Sequence, residues 1–160
     1  MITFAKITSY SRGTLARLLR DAYSFDPRWN AHYGDSFDEF DRFFYDNPNI
    51  ADNCGFITLC EGEPIGHISW DPRGTPEVVR LGHNCIATRY KRRGYGRAQL
   101  LEALRLITER CHPKQIVVTT SASLIAARRN YEGAGFILSG IRKNREDEFT
   151  GDYYDYELTL

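Results

Sequence analysis

Apolar residues in the first third of the chain occur first at strand spacing and then at helical spacing. Residues 2–8 are predicted as a short strand. Ser9 or Ser11 is the predicted N-cap of the helix that follows, and Pro27 is its predicted stop. The apolar face of this helix consists of Leu15, Leu18, Leu19 and Ala22. A capping-box sequence at 36–39 predicts a second helix, so the residues before it are expected to be irregular.

Further apolar runs of strand length are predicted to complete a sheet. They cover residues 56–60, 65–70, 78–87, 116–118, 136–141 and 153–160. A helix with an apolar face of Leu100, Leu104 and Ile107 separates the strands at 78–87 and 116–118. Such a strand–helix–strand unit is predicted to be parallel with a right-handed crossover. We therefore expect a single α/β domain over residues 1–160, with a mixed central sheet of about seven strands flanked by helices.

The composition excludes some classes of partner. Hydrophobic residues make up 42% of the chain and charged residues 26%, and the formal net charge is +0 at pH 7. A neutral chain offers no overall electrostatic attraction to nucleic acids or membrane surfaces, so neither is a predicted partner. The sequence shows no signal peptide, no membrane-length apolar run and no metal-ligand spacing among its four cysteines and four histidines. We expect no metal and a cytoplasmic location.

Charge is unevenly distributed along this neutral chain. Residues 21–53 carry eight acidic side chains and two basic ones, whereas residues 89–97 carry five basic side chains and no acidic one. The basic stretch includes Gly94 and Gly96 and joins a predicted strand to a predicted helix. A helix N-terminus attracts anions through its backbone N–H groups and its dipole, and glycines allow a ligand to approach the backbone closely. This turn is therefore predicted to bind a pyrophosphate.

Two common phosphate-binding motifs do not match this turn. The dinucleotide fingerprint fails because Gln99 stands where its third glycine would be. A P-loop fails because no Gly-Lys-Ser or Gly-Lys-Thr sequence follows. The glycines by themselves are equally compatible with a purely structural turn.

Two signatures together resemble the GNAT acetyltransferase superfamily. The family's Gln/Arg-x-x-Gly-x-Gly/Ala motif aligns with Lys91, Gly94 and Gly96, with a lysine in the first position. Residues 127–136 are similar to its Ala-x-x-x-Tyr-x-x-x-Gly-Phe signature, with Tyr131 as the tyrosine. The resemblance covers nearly the whole chain. It implies a GNAT fold with a splayed pair of parallel strands, and transfer of an acetyl group from acetyl-CoA to an amine.

The resemblance also implies which residues form the site. The pantetheine arm would enter between the strand ending near 87 and the strand at 116–118, and the N–H of Ile86 would point at the acetyl carbonyl. Tyr131 would be the general acid that protonates the departing thiolate. The predicted cofactor-binding residues are Asn84, Cys85, Ile86, Ala87, Lys91, Arg92, Arg93, Gly94, Tyr95, Gly96 and Arg97.

Neither the general base nor the acceptor is determined by the sequence. Some family members have a catalytic glutamate where this chain has Arg80, which leaves Glu77 and His83 as the nearest alternatives. Trp29, Tyr33 and His83 are predicted to contact the acceptor, a small-molecule or protein amine. The acidic, aromatic segment before residue 53 suits a cationic amine.

Other interpretations remain open at this stage. A non-catalytic acyl-CoA-binding regulatory domain would retain the glycine turn, although the retained Tyr131 argues against it. A nucleic-acid-binding module would use the basic stretch, but cations confined to one turn make it a weak candidate. The aromatic C-terminal strand offers a way to form a homodimer by strand pairing.

Overall fold

A computed structural model describes residues 1–160 and contains one seven-stranded sheet and five α-helices. The strands are β1 (Ile2–Ala5), β2 (Gly55–Cys60), β3 (Glu63–Asp71), β4 (Val78–Ile86), β5 (Gln115–Ser121), β6 (Ile137–Arg142) and β7 (Tyr153–Thr159). The helices are α1 (Thr14–Ala22), α2 (Pro27–Asp46), α3 (Pro48–Asn53), α4 (Tyr95–Cys111) and α5 (Ile125–Gly133).

The sheet is mixed, as predicted, with the strand order β1-β2-β3-β4-β5-β7-β6. Strands β4 and β5 are parallel, and the ladders β1–β2, β2–β3, β5–β7 and β6–β7 are antiparallel. The parallel ladder has three residue pairs and ends at Arg80 and Val117, whereas β4 continues to Ile86 and β5 to Ser121. The α/β fold class is therefore confirmed.

The C-terminal strand is internal to the sheet. Strand β7 lies between β5 and β6, so both of its edges are already hydrogen-bonded. It cannot pair across a dimer as the sequence suggested, because strand pairing needs an open edge. Strand β6, and not β7, forms this edge of the sheet.

The predicted N-cap of α1 is wrong. Gly13, with a φ of 99°, occupies the N-cap position and has no side chain that could cap the helix. The buried carboxylate of Asp41 instead accepts the N–H groups of Gly13 at 2.9 Å and of Ala16 at 3.1 Å. Ser9 and Ser11 are not needed, because α2 supplies the cap from a distant part of the chain.

Helix α2 is longer than predicted. Pro27 was predicted to stop the first helix, but it is the first residue of α2. Asp26 is its N-cap and accepts the N–H of Arg28 at 3.0 Å, and Pro27 fits the first turn because its missing N–H needs no partner there. The segment 36–39 lies inside this helix, so it is not a capping box. The stretch expected to be irregular is helical.

Helix α5, which carries Tyr131, has no side-chain cap at its N-terminus. Leu124 occupies the N-cap of α5 without a side-chain cap, because Ser121 ends strand β5 and the N–H of Ser123 donates to Thr150. Gly135 has a φ of 100°, a left-handed conformation that favours glycine after a helix.

The chain consists of two compact units, each with buried apolar residues. The first unit comprises Met1–Ser69 and His83–Gln99, and the second comprises Trp70–Gly82 and Leu100–Leu160. Buried residues of the first unit include Leu15, Leu18, Leu19, Phe37 and Ile57. Buried residues of the second unit include Val79, Ile107, Ile116, Val118 and Tyr156.

Candidate active site

The glycine turn connects β4 to α4 in the first unit. Arg92 has a φ of 64° and Gly94 a φ of 82°, so the chain is left-handed at both residues just before the helix begins at Tyr95. A Cβ added to Gly94 would meet no atom within 4 Å. The space beside this turn is therefore open, next to the N-terminus of a 17-residue helix. Arg92, Arg93 and Arg97 are exposed around it.

The loop before the glycines is anchored to the end of α1. The backbone N–H of Thr88 donates to the carboxylate of Asp21 at 2.7 Å, and the Thr88 hydroxyl donates to the Asp21 carbonyl at 2.8 Å. The ammonium of Lys91 donates to the carbonyl of Ala22 and lies 5.0 Å from the centre of the Phe25 ring. Burial lowers the pKa of Lys91. The Lys91 side chain and the Lys91 N–H, which donates to the Thr88 carbonyl at 3.3 Å, thus both hold the loop in place.

Aromatic side chains pack on the other side of the turn. The Tyr90 hydroxyl donates to Glu63 at 2.9 Å, and the ring centroids of Tyr90 and Tyr95 are 6.3 Å apart. The Tyr95 hydroxyl accepts from the thiol of Cys60, with a sulfur–oxygen distance of 3.8 Å. The guanidinium of Arg93 lies 5.8 Å from the Tyr90 ring centroid. These contacts fix the start of α4 against the β2 and β3 strands.

The peptide between Cys85 and Ile86 has a defined orientation. The Cys85 carbonyl accepts the Gln99 amide at 3.3 Å, and a Cβ added to Gly66 of β3 would lie 2.2 Å from this oxygen. The carbonyl therefore points toward β3. The only cis peptide in the chain is Thr75–Pro76, so the 85–86 peptide is trans and its N–H points the opposite way. Ile86 thus directs its N–H away from β3.

The peptide between Ile86 and Ala87 also has a defined orientation. The N–H of Ala87 donates to the carbonyl of Ile65 in β3 at 2.7 Å, so the Ile86 carbonyl also points away from β3. Ile86 therefore presents both a donor and an acceptor on that side. The Cys85 carbonyl and the Ala87 N–H, which were predicted to line the pantetheine arm, are instead engaged with β3 and with Gln99.

Gln99 is a functional candidate that sequence reasoning missed. Its side chain is 1% exposed and bonds to three strands. The Gln99 carbonyl oxygen accepts the Thr58 hydroxyl of β2 at 2.7 Å, and its amide donates to the carbonyls of His67 in β3 at 2.9 Å and of Cys85 in β4. The available signal was a polar residue directly beside the apolar face of a helix. Gln99 therefore determines how the Cys85–Ile86 peptide is held.

Strands β3 and β4 each contain one histidine, His67 and His83, and the pKa of each imidazole is lowered. His67 is buried, its Nε2 is 3.2 Å from the Leu15 carbonyl oxygen, and burial lowers its pKa to about 3. His83 is exposed, yet its ring lies 4.6 Å from the Phe40 ring and 5.9 Å from the Phe37 ring. These apolar neighbours desolvate His83 and lower its pKa. His83 is therefore available as a neutral imidazole.

Tyr131 lies in the second unit, on α5. It is 4% exposed, and its ring centroid is 5.7 Å from that of Phe136 and 6.1 Å from that of Tyr156. The Tyr131 carbonyl accepts the N–H of Phe136 at 3.0 Å. The hydroxyl of Tyr156 donates to Glu132 at 2.7 Å, which further ties the helix to β7. The ring of Tyr131 is thus held firmly in place.

A protein-family profile described as an acetyltransferase (GNAT) domain matches residues 46–150, more than half of the chain. The chain belongs to the GNAT acetyltransferase family. A comparison with curated proteins finds no match. Membership in the GNAT family makes this protein an acetyltransferase.

Solved structures share the fold of this GNAT acetyltransferase. The ribosomal-protein-S18-alanine N-acetyltransferase of Escherichia coli is 20% identical, with a TM-score of 0.75 over 100% of this chain and 94% of that one. A GNAT acetyltransferase from Streptococcus pneumoniae is 19% identical, with a TM-score of 0.73 over 100% of both chains. A GNAT acetyltransferase from Elizabethkingia anophelis, which has acetyl-CoA bound, is 22% identical, with a TM-score of 0.57 over 66% of this chain and 75% of that one.

The acidic wall expected for a cationic acceptor is mostly engaged in structural contacts. Six of its eight acidic residues have partners within the GNAT chain. These are Asp21 with Thr88, Asp26 with Arg28, Asp38 with Arg20, Asp41 with the N-terminus of α1, Asp46 with Arg12, and Asp52 with Thr8. Three of these carboxylates pair with arginines, so part of the negative charge of the segment is compensated. Asp21, Asp41 and Asp52 accept from neutral backbone or hydroxyl donors and keep their charge.

The predicted acceptor contacts Trp29 and Tyr33 lie within helix α2, not in an irregular segment. Trp29 is 6% exposed, with its ring centroid 5.0 Å from that of Tyr23 and 5.5 Å from that of Tyr33. It is therefore a packing residue of the first unit. Tyr33 is half-buried at the end of this row of rings and retains an accessible side.

Two further observations concern membranes and metals. No helix of this GNAT protein is both long and apolar enough to cross a bilayer. No group of three or more His, Cys, Asp and Glu side chains is arranged to hold a metal ion. All four cysteines are free thiols, and burial raises the pKa of Cys85 to about 12.

Proposed function

We propose that this protein transfers the acetyl group of acetyl-CoA to a primary amine by direct attack of the amine on the thioester. The observation that carries the proposal is the orientation of Ile86. Gln99 and β3 hold the neighbouring peptide groups so that the Ile86 N–H faces away from β3, close along the chain to the open glycine turn. A family fold with a preset backbone donor of this kind supports acyl transfer.

The Ile86 N–H is the proposed donor to the oxygen that becomes negative as the amine adds to the thioester carbonyl. A hydrogen-bond donor fixed in advance stabilises that charge without reorganising during the reaction. Such a donor contributes about 3 kcal/mol of transition-state stabilisation. The role needs only a fixed N–H direction, which the trans peptide and the Gln99 amide support.

The glycine turn is proposed to hold the pyrophosphate of acetyl-CoA. Gly94, Tyr95 and Gly96 would contribute backbone groups at the start of α4, and the exposed Arg92, Arg93 and Arg97 would contribute positive charge. The helix dipole adds to this attraction. The empty space around the Gly94 Cα fits a phosphate that lies against the backbone.

Tyr131 is the proposed general acid. Its phenol would donate a proton to the departing thiolate, which does not require the tyrosine to ionise beforehand. General acid catalysis of this type contributes roughly 10²- to 10⁴-fold. The packing of the Tyr131 ring against Phe136 and Tyr156 supports the role, because a general acid must be held in one orientation.

His83 is the better of the two bases that the sequence left open. Glu77 forms an ion pair with Lys114, with a nitrogen–oxygen distance of 2.9 Å. His83 has its pKa lowered by its apolar surroundings, so at neutral pH it has a lone pair available to accept a proton. Removal of a proton from the acceptor amine is therefore assigned to His83 or to water.

The test begins with the thermal midpoint of unfolding in the presence of acetyl-CoA, with ATP and a short nucleic acid as controls. At 100 times the dissociation constant, a ligand adds about 2.7 kcal/mol to the stability of the native state. For a chain of this size the expected rise is about 5–10 °C. No rise at millimolar acetyl-CoA would contradict the assignment of the glycine turn.

Turnover then separates an enzyme from a regulatory acyl-CoA-binding domain. Tyr131→Phe preserves the ring and its packing but removes the hydroxyl. We expect kcat to fall by roughly 10²-fold or more while acetyl-CoA binding is retained. Binding without acetylation of any amine by the wild type would favour the regulatory domain, and unchanged turnover in Tyr131→Phe would remove Tyr131 from the mechanism.

A further inference from the structure

Part of the sheet in the second unit has an open face with a charged pocket. Residues that pair directly in neighbouring strands point to the same side, so Arg80 shares a face with Val117, and Thr119 shares one with Asp155. The two β5 residues are two positions apart, which places all four on one face. The pocket has a volume of about 460 Å³, and its lining includes Arg80, Val117, Thr119, Ser139, Arg142 and Asp155.

The opposite face of the same strands is covered. Tyr156 follows Asp155 along β7, so its side chain points the other way. The Tyr156 hydroxyl donates to Glu132 of α5, and the Tyr156 ring contacts that of Tyr131. The pocket and helix α5 therefore lie on opposite faces of strand β7.

The pocket has one guanidinium without a matching carboxylate. Asp155 accepts hydrogen bonds from Arg142 Nε at 2.7 Å, from Arg142 Nη2 at 2.9 Å and from the Thr119 hydroxyl at 2.6 Å. Both carboxylate oxygens are therefore engaged, and the negative charge is paired with Arg142. Arg142 is the main cause of the lowered pKa of Asp155. Asp71, a second carboxylate near Arg80, is paired with Arg73 at 2.7 Å.

Arg80 therefore supplies the available positive charge of this pocket. It is exposed, and no hydrogen bond or ion pair with another residue occupies its guanidinium. Glu157 shares this face beside Val117 but is not one of the lining residues.

We propose that this pocket binds a carboxylate of the acceptor, so that the substrates are amines that also carry a carboxylate, such as amino acids or peptides with a free C-terminus. The inference rests on the proposed function. One uncompensated guanidinium matches one carboxylate, and the planar fork of Arg80 suits bidentate binding. Arg80 and Val117 form the last pair of the β4–β5 ladder, so the pocket lies where that ladder ends.

The engaged acids of the first unit are consistent with this class of acceptor. Three of the eight acidic residues at 21–53 are paired with arginines, which reduces the negative charge available to a purely cationic amine. An amino acid carries its own negative charge. Its recognition through Arg80 does not require an acidic wall.

The test compares matched acceptors that differ only in the carboxylate. Steady-state kcat/KM at saturating acetyl-CoA is measured for amino acids and their amides, and for dipeptides and their C-terminal amides. We expect the wild type to favour the carboxylate member at least tenfold, the value of one charge-assisted hydrogen bond. Arg80→Gln should bring this ratio close to one, and Arg80→Lys should restore it in part.

Two additional variants separate the pocket from a general effect of charge. Ser139→Leu enlarges an exposed residue of the pocket lining without touching Arg80, and it should raise KM for the carboxylate member more than for the amide. Arg105→Gln removes an exposed arginine of α4 that pairs only with Glu102 and Glu109, and it should leave the ratio unchanged. Equal preference for both members in the wild type would overturn the proposal while leaving acetyl transfer to amines intact.

Direct binding keeps the proposal testable if no acceptor in the panel is acetylated. Calorimetric titration of the wild type and of Arg80→Gln with the same amino acids should show binding that the variant weakens at least tenfold. Absence of such binding would overturn the pocket assignment, whereas the acetyl-CoA thermal shift tests the proposed function separately. A rise in KM for acetyl-CoA in Arg80→Gln, with an unchanged acceptor ratio, would show that the pocket holds a CoA phosphate and would also overturn the proposal.

Discussion

The buried imidazole of His67 makes the stability of this protein depend on pH in a way that can be calculated. The side chain is 1% exposed, and its ring centroid is 5.8 Å from that of Phe40. Because the Leu15 carbonyl can only accept a hydrogen bond, Nε2 carries the proton, and Nδ1 has no partner. Protonation of Nδ1 would place an unpaired charge in the core, which is why burial lowers the pKa to about 3.

The sign of the effect follows from the two pKa values. The pKa of His67 in the unfolded chain is 6.5, so below that pH the unfolded state binds a proton that the folded state does not. The contribution of His67 to stability is therefore fully present above pH 6.5 and is lost as the pH falls toward 3. The loss is about 1.4 kcal/mol for each pH unit, which gives about 2 kcal/mol at pH 5.

Urea unfolding at pH 7.5 and pH 5.0 measures this loss. The wild type and His67→Leu share all other titrating groups, so the difference between their pH dependences isolates His67. We expect the wild type to lose about 2 kcal/mol more than His67→Leu between these pH values. The exposed His32 provides a control, and His32→Gln should behave as the wild type does. Equal pH dependence in the wild type and His67→Leu would refute the reasoning.

Two predictions concern the turn and its support. Gln99→Leu leaves three buried groups without their hydrogen bonds, and we expect a loss of about 3–5 kcal/mol of unfolding free energy in urea. The kcat of Gln99→Leu should also fall, because the Cys85–Ile86 peptide loses a hydrogen bond that orients it. A variant as stable as the wild type would contradict the predicted loss of hydrogen bonds. Gly94→Ala places a Cβ at a φ of 82° and should cost about 1–2 kcal/mol, whereas Gly94→Asn should cost less. Both should weaken CoA binding in calorimetry, and unchanged affinity in both would argue against a pyrophosphate at this turn.

Local patterns predicted the elements of the fold better than their ends. The apolar runs at 78–87 and 116–118 correspond to β4 and β5, and their parallel pairing follows from the helix between them. Helix caps were predicted less well. Asp41, 28 residues from Gly13, caps α1, so no nearby serine is required. A backbone N–H can be satisfied by any acceptor that the fold brings close, and sequence spacing does not reveal which one that will be.

The same distinction applies to the candidate site. The glycine turn and the tyrosine helix have local signatures, and the family profile covers both. The structure of residues 21–53 was predicted less well. Trp29 is a packing residue of a helix, and most acids of residues 21–53 are partners of nearby donors. Composition counts charges, but only contacts determine which of them remain unpaired.

What the sequence by itself determined is therefore the order of the strands and of the helices other than α3, the family and the two motifs, because each depends on residues within about one turn or one strand of each other. The tertiary structure decided the rest. Gln99 meets Thr58, 41 residues away, and His67, 32 residues away, and strand register joins Arg142 to Asp155 across β6 and β7. Such contacts depend on which strands pair and in what register, and no local periodicity encodes that choice.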